Sequence, residues 1–127
     1  MTGTIEISVD HQHRQLNFVA EGFFDGRAVT RIGEDKIACL RELGGEPTDH
    51  VSLVDVSACK IQRQEVLAAF VGLIRDERYR ARRVAFVTGP DSLAKMQIRR
   101  VNTREATVRI FADRDAAQTW LSDANPR

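Results

Sequence analysis

The spacing of apolar residues switches between two periods along this chain, and that switching constrains the fold more than any other feature of the sequence. Ile5, Ile7 and Val9 alternate with polar residues, as for the most part do Leu16, Phe18 and Ala20, with the polar stretch Asp10 to Arg14 between them. A period of two puts alternate side chains on one face of a strand, so these runs predict a hairpin with one buried face. After Gly22, Phe23 and Phe24, Asp25 can cap a helix whose apolar positions Val29, Ile32, Ile37, Leu40 and Leu43 lie close to helical spacing. Gly44 and Gly45, with Pro47 beyond, end that helix.

The alternation of strand and helix continues to the end of the chain. Val51 to Val56 is short and mostly apolar, the pattern of a central strand, and a loop is expected after it. A second helix beginning near Gln62 turns Val66, Leu67, Phe70, Leu73 and Ile74 inward, and Arg83 to Thr88 forms the next strand. Gly89, Pro90 and Asp91 open a third helix with Leu93, Met96 and Val101 facing in and Arg99 and Arg100 near its end. Thr107 to Phe111 reads as a last strand, and Asp113 to Ser122 as a final helix anchored by Trp120 and Leu121.

The order is therefore ββαβαβαβα in a single domain spanning residues 1–127, with no internal repeat or linker. It predicts an α/β fold with a five-stranded mixed sheet in which only the first strand runs antiparallel. A sheet covered on both faces would show apolar runs in most strands, whereas the outer strands here alternate. Helices are thus expected mainly on one face, with Glu6, Asn17, Glu21 and Arg109 lining a partly wet opposite face.

Composition narrows the function classes. Hydrophobic residues make up 43% and charged residues 29%, an ordinary globular balance. The two cysteines, Cys39 and Cys59, fit no metal or redox spacing, and no apolar leader or membrane-length run is present, so a cytoplasmic protein without a membrane span is expected. The net charge of +1 argues against a dedicated nucleic-acid binder, although residues 75–109 concentrate ten basic against four acidic side chains.

Two hairpin strands followed by αβ units, with Leu53, Val54, Asp55, Val56 and Ser57 ending a central strand, resemble the STAS family that contains the SpoIIAA anti-anti-sigma factors. The stretches Asp49 to Ser57, Tyr79 to Val87 and Met96 to Arg100 are similar to a bacterial SpoIIAA-like family of largely unknown function. The resemblance implies a SpoIIAA-like (STAS) fold and a signalling role through protein interaction. In the phosphorylated members, an Asp-Ser pair starts the helix after the central strand, and a partner kinase modifies that serine. Laying Asp55 and Ser57 on the strand end brings Arg63, Gln64, Glu65 and Val66 to the motif, so the usual phosphoacceptor is missing. What carries over is a loop and helix that contact a partner, with Asp55, Ser57, Gln62, Gln64 and Glu65 as the interaction residues.

Each other candidate has a simpler structural explanation. Asp55 can accept backbone amides in a turn and Ser57 can satisfy the chain there, and no histidine is placed in sequence to activate the serine. His11 and His13 lack the partners of a metal site and read as solvated turn residues. Cys39 and Cys59 behave as small buried hydrophobes, and Asp76 and Glu77 pair with nearby arginines. Arg80, Arg82, Arg99 and Arg100 belong to the basic segment, which either holds an edge together through ion pairs or binds an anion. Gly89 to Ser92 lacks the residues of a phosphate loop, and Asp91 would repel an anion.

These readings converge on a non-enzymatic regulatory or protein-interaction domain without a cofactor. The alternative is a small-molecule or lipid-binding domain whose basic segment holds an acidic small molecule or headgroup. The partner is an unidentified protein, and the sequence also allows a homodimer.

Overall fold

The computed structural model describes residues 3–59, 64–88 and 107–123. In chain order the elements are β1 (Thr4–Asp10), β2 (Gln15–Gly22), α1 (Gly26–Leu43), β3 (Val51–Cys59), α2 (Gln64–Ile74), a 3-10 turn (Glu77–Tyr79), β4 (Val84–Val87), β5 (Val108–Phe111) and α3 (Arg114–Ser122). The five strands form a sheet in the order β1-β2-β3-β4-β5. β1 runs antiparallel to β2, and every other neighbour pair is parallel. This is the mixed sheet that the sequence predicts. The helix expected after Pro90, with Leu93, Met96, Arg99, Arg100 and Val101, lies outside the described residues.

The hairpin closes where the polar stretch was expected to turn the chain. Asp10 accepts the His13 backbone N–H at 3.2 Å and contacts its ring Nδ1 at 2.7 Å. Arg14 follows in the left-handed region at φ 48°, a position costly for a side chain with a Cβ. Its guanidinium is correspondingly well held, donating to the carbonyls of Asp49 at 2.9 Å and Gly44 at 2.7 Å. One arginine thereby ties the hairpin to both ends of the α1–β3 connection. Asp25 caps α1 by accepting the Ala28 N–H, and Gly44 at φ 75° ends it by donating to Leu40.

Two apolar clusters sandwich the sheet. On one face Phe18, Ala20, Val54, Val56 and Phe86 meet α1 through Val29, Ile32 and Leu40, and α2 through Val66, Leu67 and Phe70. Phe24 packs edge-on to Phe70 with ring centroids 6.0 Å apart. Fully burying each such side chain contributes roughly 1.5–3 kcal/mol, which makes this the main stabilising layer. On the other face α3 places Ala117 and Leu121 over Val51, Leu53, Ala85 and Val87. Two of the three described helices, including the longest, thus share one face. On the other face Glu6, Glu21 and Arg109 are exposed and Asn17 half-buried, as the alternation predicts.

Two details of the sequence reading need correction. Ile37 and Leu43 were expected to face inward on α1, yet both are half-buried and Lys36 takes the interior position. Residues 29, 32, 36 and 40 make the true inward stripe, because the helical repeat admits Lys36 as readily as its apolar neighbour. The second correction concerns β3. It does not give way to a loop after Val56 but continues to Cys59, with Ala58 opposite Glu21 and Cys59 opposite Gly22. The register shifts between Val19 and Glu21, so one extra residue of β3 is accommodated as a bulge.

Candidate functional site at the carboxyl end of the sheet

The bulge shapes the chemistry at the end of β3. Val56 is buried, and the next two residues, Ser57 and Ala58, are both exposed, which breaks the alternation and presents both to solvent. Asp55 is mostly buried, with its side chain 14% exposed. It accepts the Ser57 backbone N–H at 3.0 Å and the Ser57 hydroxyl at 2.6 Å, while Arg114 from α3 approaches its other oxygen at 3.3 Å. Asp55 therefore holds the bulged backbone and ties β3 to α3. The two residues singled out in the sequence are joined to each other, and the bond has the character of a turn-stabilising contact.

Glu65 stands exposed in the first turn of α2, and Gln64 is the first residue of that helix. Gln62 lies outside the described residues. Cys59 completes the strand, and its thiol is pushed up to about 12 by burial, with Asp55 and Glu21 adding negative charge. A thiol so raised is a poor nucleophile. Nor does Ser57 have an imidazole beside it. His11 and His13 lie in the β1–β2 turn and His50 precedes β3, all at the amino end of the parallel strands. No group of three metal-ligating side chains occurs among the described residues.

The basic segment occupies the opposite end. Arg82 precedes β4, donates its backbone N–H to His50 at 2.8 Å and sets its guanidinium 3.5 Å from Asp49. Arg80, two residues earlier, is half-buried. Arg78 pairs with Asp76 at 2.8 Å and lies over the Tyr79 ring, while Arg83 stacks on Trp120 and donates to its carbonyl at 2.7 Å. Arg78, Arg82 and Arg83 thus each make a contact within the chain. Arg99 and Arg100 lie outside the described residues.

Sequence reasoning missed two features. Near the amino end, His50 is fully buried and Lys36 is 3% exposed. Burial pushes His50 down to about 4, with Lys36, Arg14 and Arg82 adding repulsion and the Pro47 carbonyl opposing. Burial likewise pushes Lys36 down to about 8, partly offset by Asp76. The helical period through 29, 32, 36 and 40 was the available signal for Lys36. The other missed residue is Phe23, which is 53% exposed next to the buried Phe24. Two adjacent aromatics at a strand end cannot both face the core, and that was legible.

With the geometry established, comparison with solved structures defines the class: this is a SpoIIAA-like α/β fold. The chain is similar to an uncharacterised protein of the DUF3478 family with a SpoIIAA-like fold from Shewanella loihica, at 20% identity, 94% coverage of both chains and a TM-score of 0.65. It is also similar to an anti-sigma factor antagonist from Mycobacterium paratuberculosis, at 13% identity, 94% coverage of both chains and a TM-score of 0.64. No protein-family profile and no curated protein matches the sequence. Among the described residues, no helix is long and apolar enough to cross a membrane.

Proposed function

We propose that this chain is a non-enzymatic regulatory domain that binds a partner protein through the carboxyl end of its sheet, using the end of β3 and the start of α2. The observation that carries the reading is the β3 bulge, which exposes Ser57 and Ala58 at the end of the strand, with Glu65 exposed in the first turn of α2. One of the fold's neighbours is an anti-sigma factor antagonist, a protein that acts on another protein. Asp55, Ser57, Gln62, Gln64 and Glu65 form the contact, and the serine switch of phosphorylated relatives is lost because Gln64 stands where the acceptor would be. The Ser57 hydroxyl is taken up by Asp55, which suits a structural role for this serine. The protein acts in the cytoplasm.

Site-specific photocrosslinking in the native cell tests this. A photoreactive residue at Ala58 is expected to capture a protein partner, and Gln62→Ala with Glu65→Ala is expected to weaken capture while leaving the fold intact. Replacing Arg80 and Arg82, in a variant whose unchanged thermal midpoint shows that it folds, should alter capture mainly through electrostatic steering, an effect that fades as salt screens charges beyond about 8 Å. If the arginine pair abolishes capture at high salt and the α2 pair does nothing, the basic segment is the functional surface and the reading is wrong.

A further inference from the structure

We propose that the corner between β2 and α1 receives an acidic side chain of the partner, with an apolar neighbour of that side chain packing on Phe23. This names the partner's chemistry and rests on the reading above. The corner lies at the same end of the sheet, since Gly22 at the end of β2 pairs with Cys59 at the end of β3.

A pocket of about 260 Å³ opens here, lined by Gly3, Asp25, Arg27, Ala28 and Arg31. Arg27 and Arg31 are both exposed, one helical turn apart on α1. Like charges at that spacing repel, an arrangement a bound anion would relieve. Among the described residues neither guanidinium makes an ion pair or a side-chain hydrogen bond, whereas Arg14, Arg78, Arg82, Arg83 and Arg114 all do. Asp25 is already engaged with the Ala28 N–H. Two guanidiniums against one carboxylate leave one positive charge uncompensated, which one incoming carboxylate balances.

Size and neighbourhood select a protein side chain over a free metabolite. Pockets for whole small ligands run from about 300 to 1,000 Å³, so this one suits a single side chain. Phe23 flanks the pocket, its carbonyl accepting the Gly3 N–H and thereby fixing the edge of the corner. It is the large hydrophobic residue that stands exposed among those described. An exposed aromatic beside unpaired arginines has the composition of an interface hot spot.

The probe is an acetylated, amidated tripeptide with glutamate between two leucines, titrated into the isotope-labelled full chain and followed by amide and arginine Nε–H resonances. Saturable shifts at Phe23, Arg27 and Arg31 are expected. Replacing glutamate with glutamine in the probe, or introducing Arg27→Gln with Arg31→Gln, should weaken binding by roughly tenfold. Both arginines are exposed, and an unchanged thermal midpoint verifies that the variant folds. Absence of saturable shifts, equal binding of the glutamine probe, or shifts confined to Ser57 and Glu65 would overturn the proposal. Inorganic phosphate binding more tightly than the glutamate peptide would overturn it in favour of a phosphate ligand. The tripeptide needs no cellular partner, so its failure leaves the Ala58 crosslink standing, and failure of that crosslink leaves this binding standing.

Discussion

The Ser57 hydroxyl donates a 2.6 Å hydrogen bond to Asp55, and the same carboxylate oxygen accepts the Ser57 backbone N–H at 3.0 Å. Two residues apart, they fix the bulge that turns the end of β3 towards solvent. The shape of the candidate interface therefore depends on one mostly buried carboxylate. Arg114 makes that dependence extend to α3, because it approaches the second carboxylate oxygen at 3.3 Å.

Asp55→Ala should destabilise the chain by about 1–3 kcal/mol, since it leaves the Ser57 amide and the Arg114 guanidinium without their acceptor. Ser57→Ala removes only an exposed hydroxyl and should change stability by less than about 0.5 kcal/mol. Urea unfolding of the two variants gives both values. Equal effects would show that the carboxylate does not organise the bulge.

Incubation with a serine kinase of the anti-sigma type should leave the segment from Ser57 to Glu65 unphosphorylated. The expectation rests on the proposal that Gln64 replaces the acceptor, and on the Ser57 hydroxyl being engaged by Asp55. A phosphate mapped to Ser57 by mass spectrometry would show that the switch is retained at a shifted position.

Acid should weaken the fold through His50. The folded pKa of about 4 lies below the ordinary imidazole value of 6.5, so between these values the unfolded chain binds a proton that the native state refuses. The contribution is complete above about pH 6.5 and is lost as pH falls towards 4, a change of about 3 kcal/mol at roughly 1.4 kcal/mol per unit. Neither ring nitrogen makes a well-formed hydrogen bond among the described residues, so His50→Leu gives up at most a weak contact with the Pro47 carbonyl. Urea midpoints measured across this range should slope for the natural chain and flatten for His50→Leu. Parallel slopes would move the acid sensitivity to other groups.

Much of the fold was legible because one chemical pattern carried it. Ile5, Phe18 and Ala20 alternate, face the main core and are buried, and the hairpin, the sheet class and the wet face all follow from that period. The caps at Asp25 and Gly44 were equally local signals. The helical period puts Lys36 on the inward stripe, but its enclosure and that of His50 were not legible, because whether a polar side chain is enclosed depends on what other elements bring over it. Lys36 sits against the end of α2, with its Nζ 3.5 Å from the Leu73 carbonyl. The bulge at Ser57 escaped notice for a related reason: the exposed pair after Val56 looks like a loop until β2 is seen pairing beyond it. Arg27 and Arg31 look like ordinary surface charges in sequence, and the pocket exists only once Gly3 is folded beside them.

Lys36 supplies the test with the opposite sign. An ammonium group held 3% exposed costs desolvation, and the fall of its pKa from the ordinary lysine value of 10.5 to about 8 reflects the penalty on its charged form. Below about pH 8 the group is charged in both states and the penalty is fully present; between 8 and 10.5 the native state sheds its proton first and stability rises; above 10.5 the penalty is gone. Lys36→Met keeps the straight side chain and removes the charge, and the Leu73 carbonyl loses only a long 3.5 Å contact. The variant should therefore be more stable than the natural chain by about 1–3 kcal/mol at pH 7, with the advantage shrinking as pH rises towards 10.5. Thermal or urea unfolding of both chains at matched pH values measures the difference directly. A loss of stability at pH 7 would mean that the Leu73 carbonyl and Asp76 compensate the buried charge more fully than its burial opposes it.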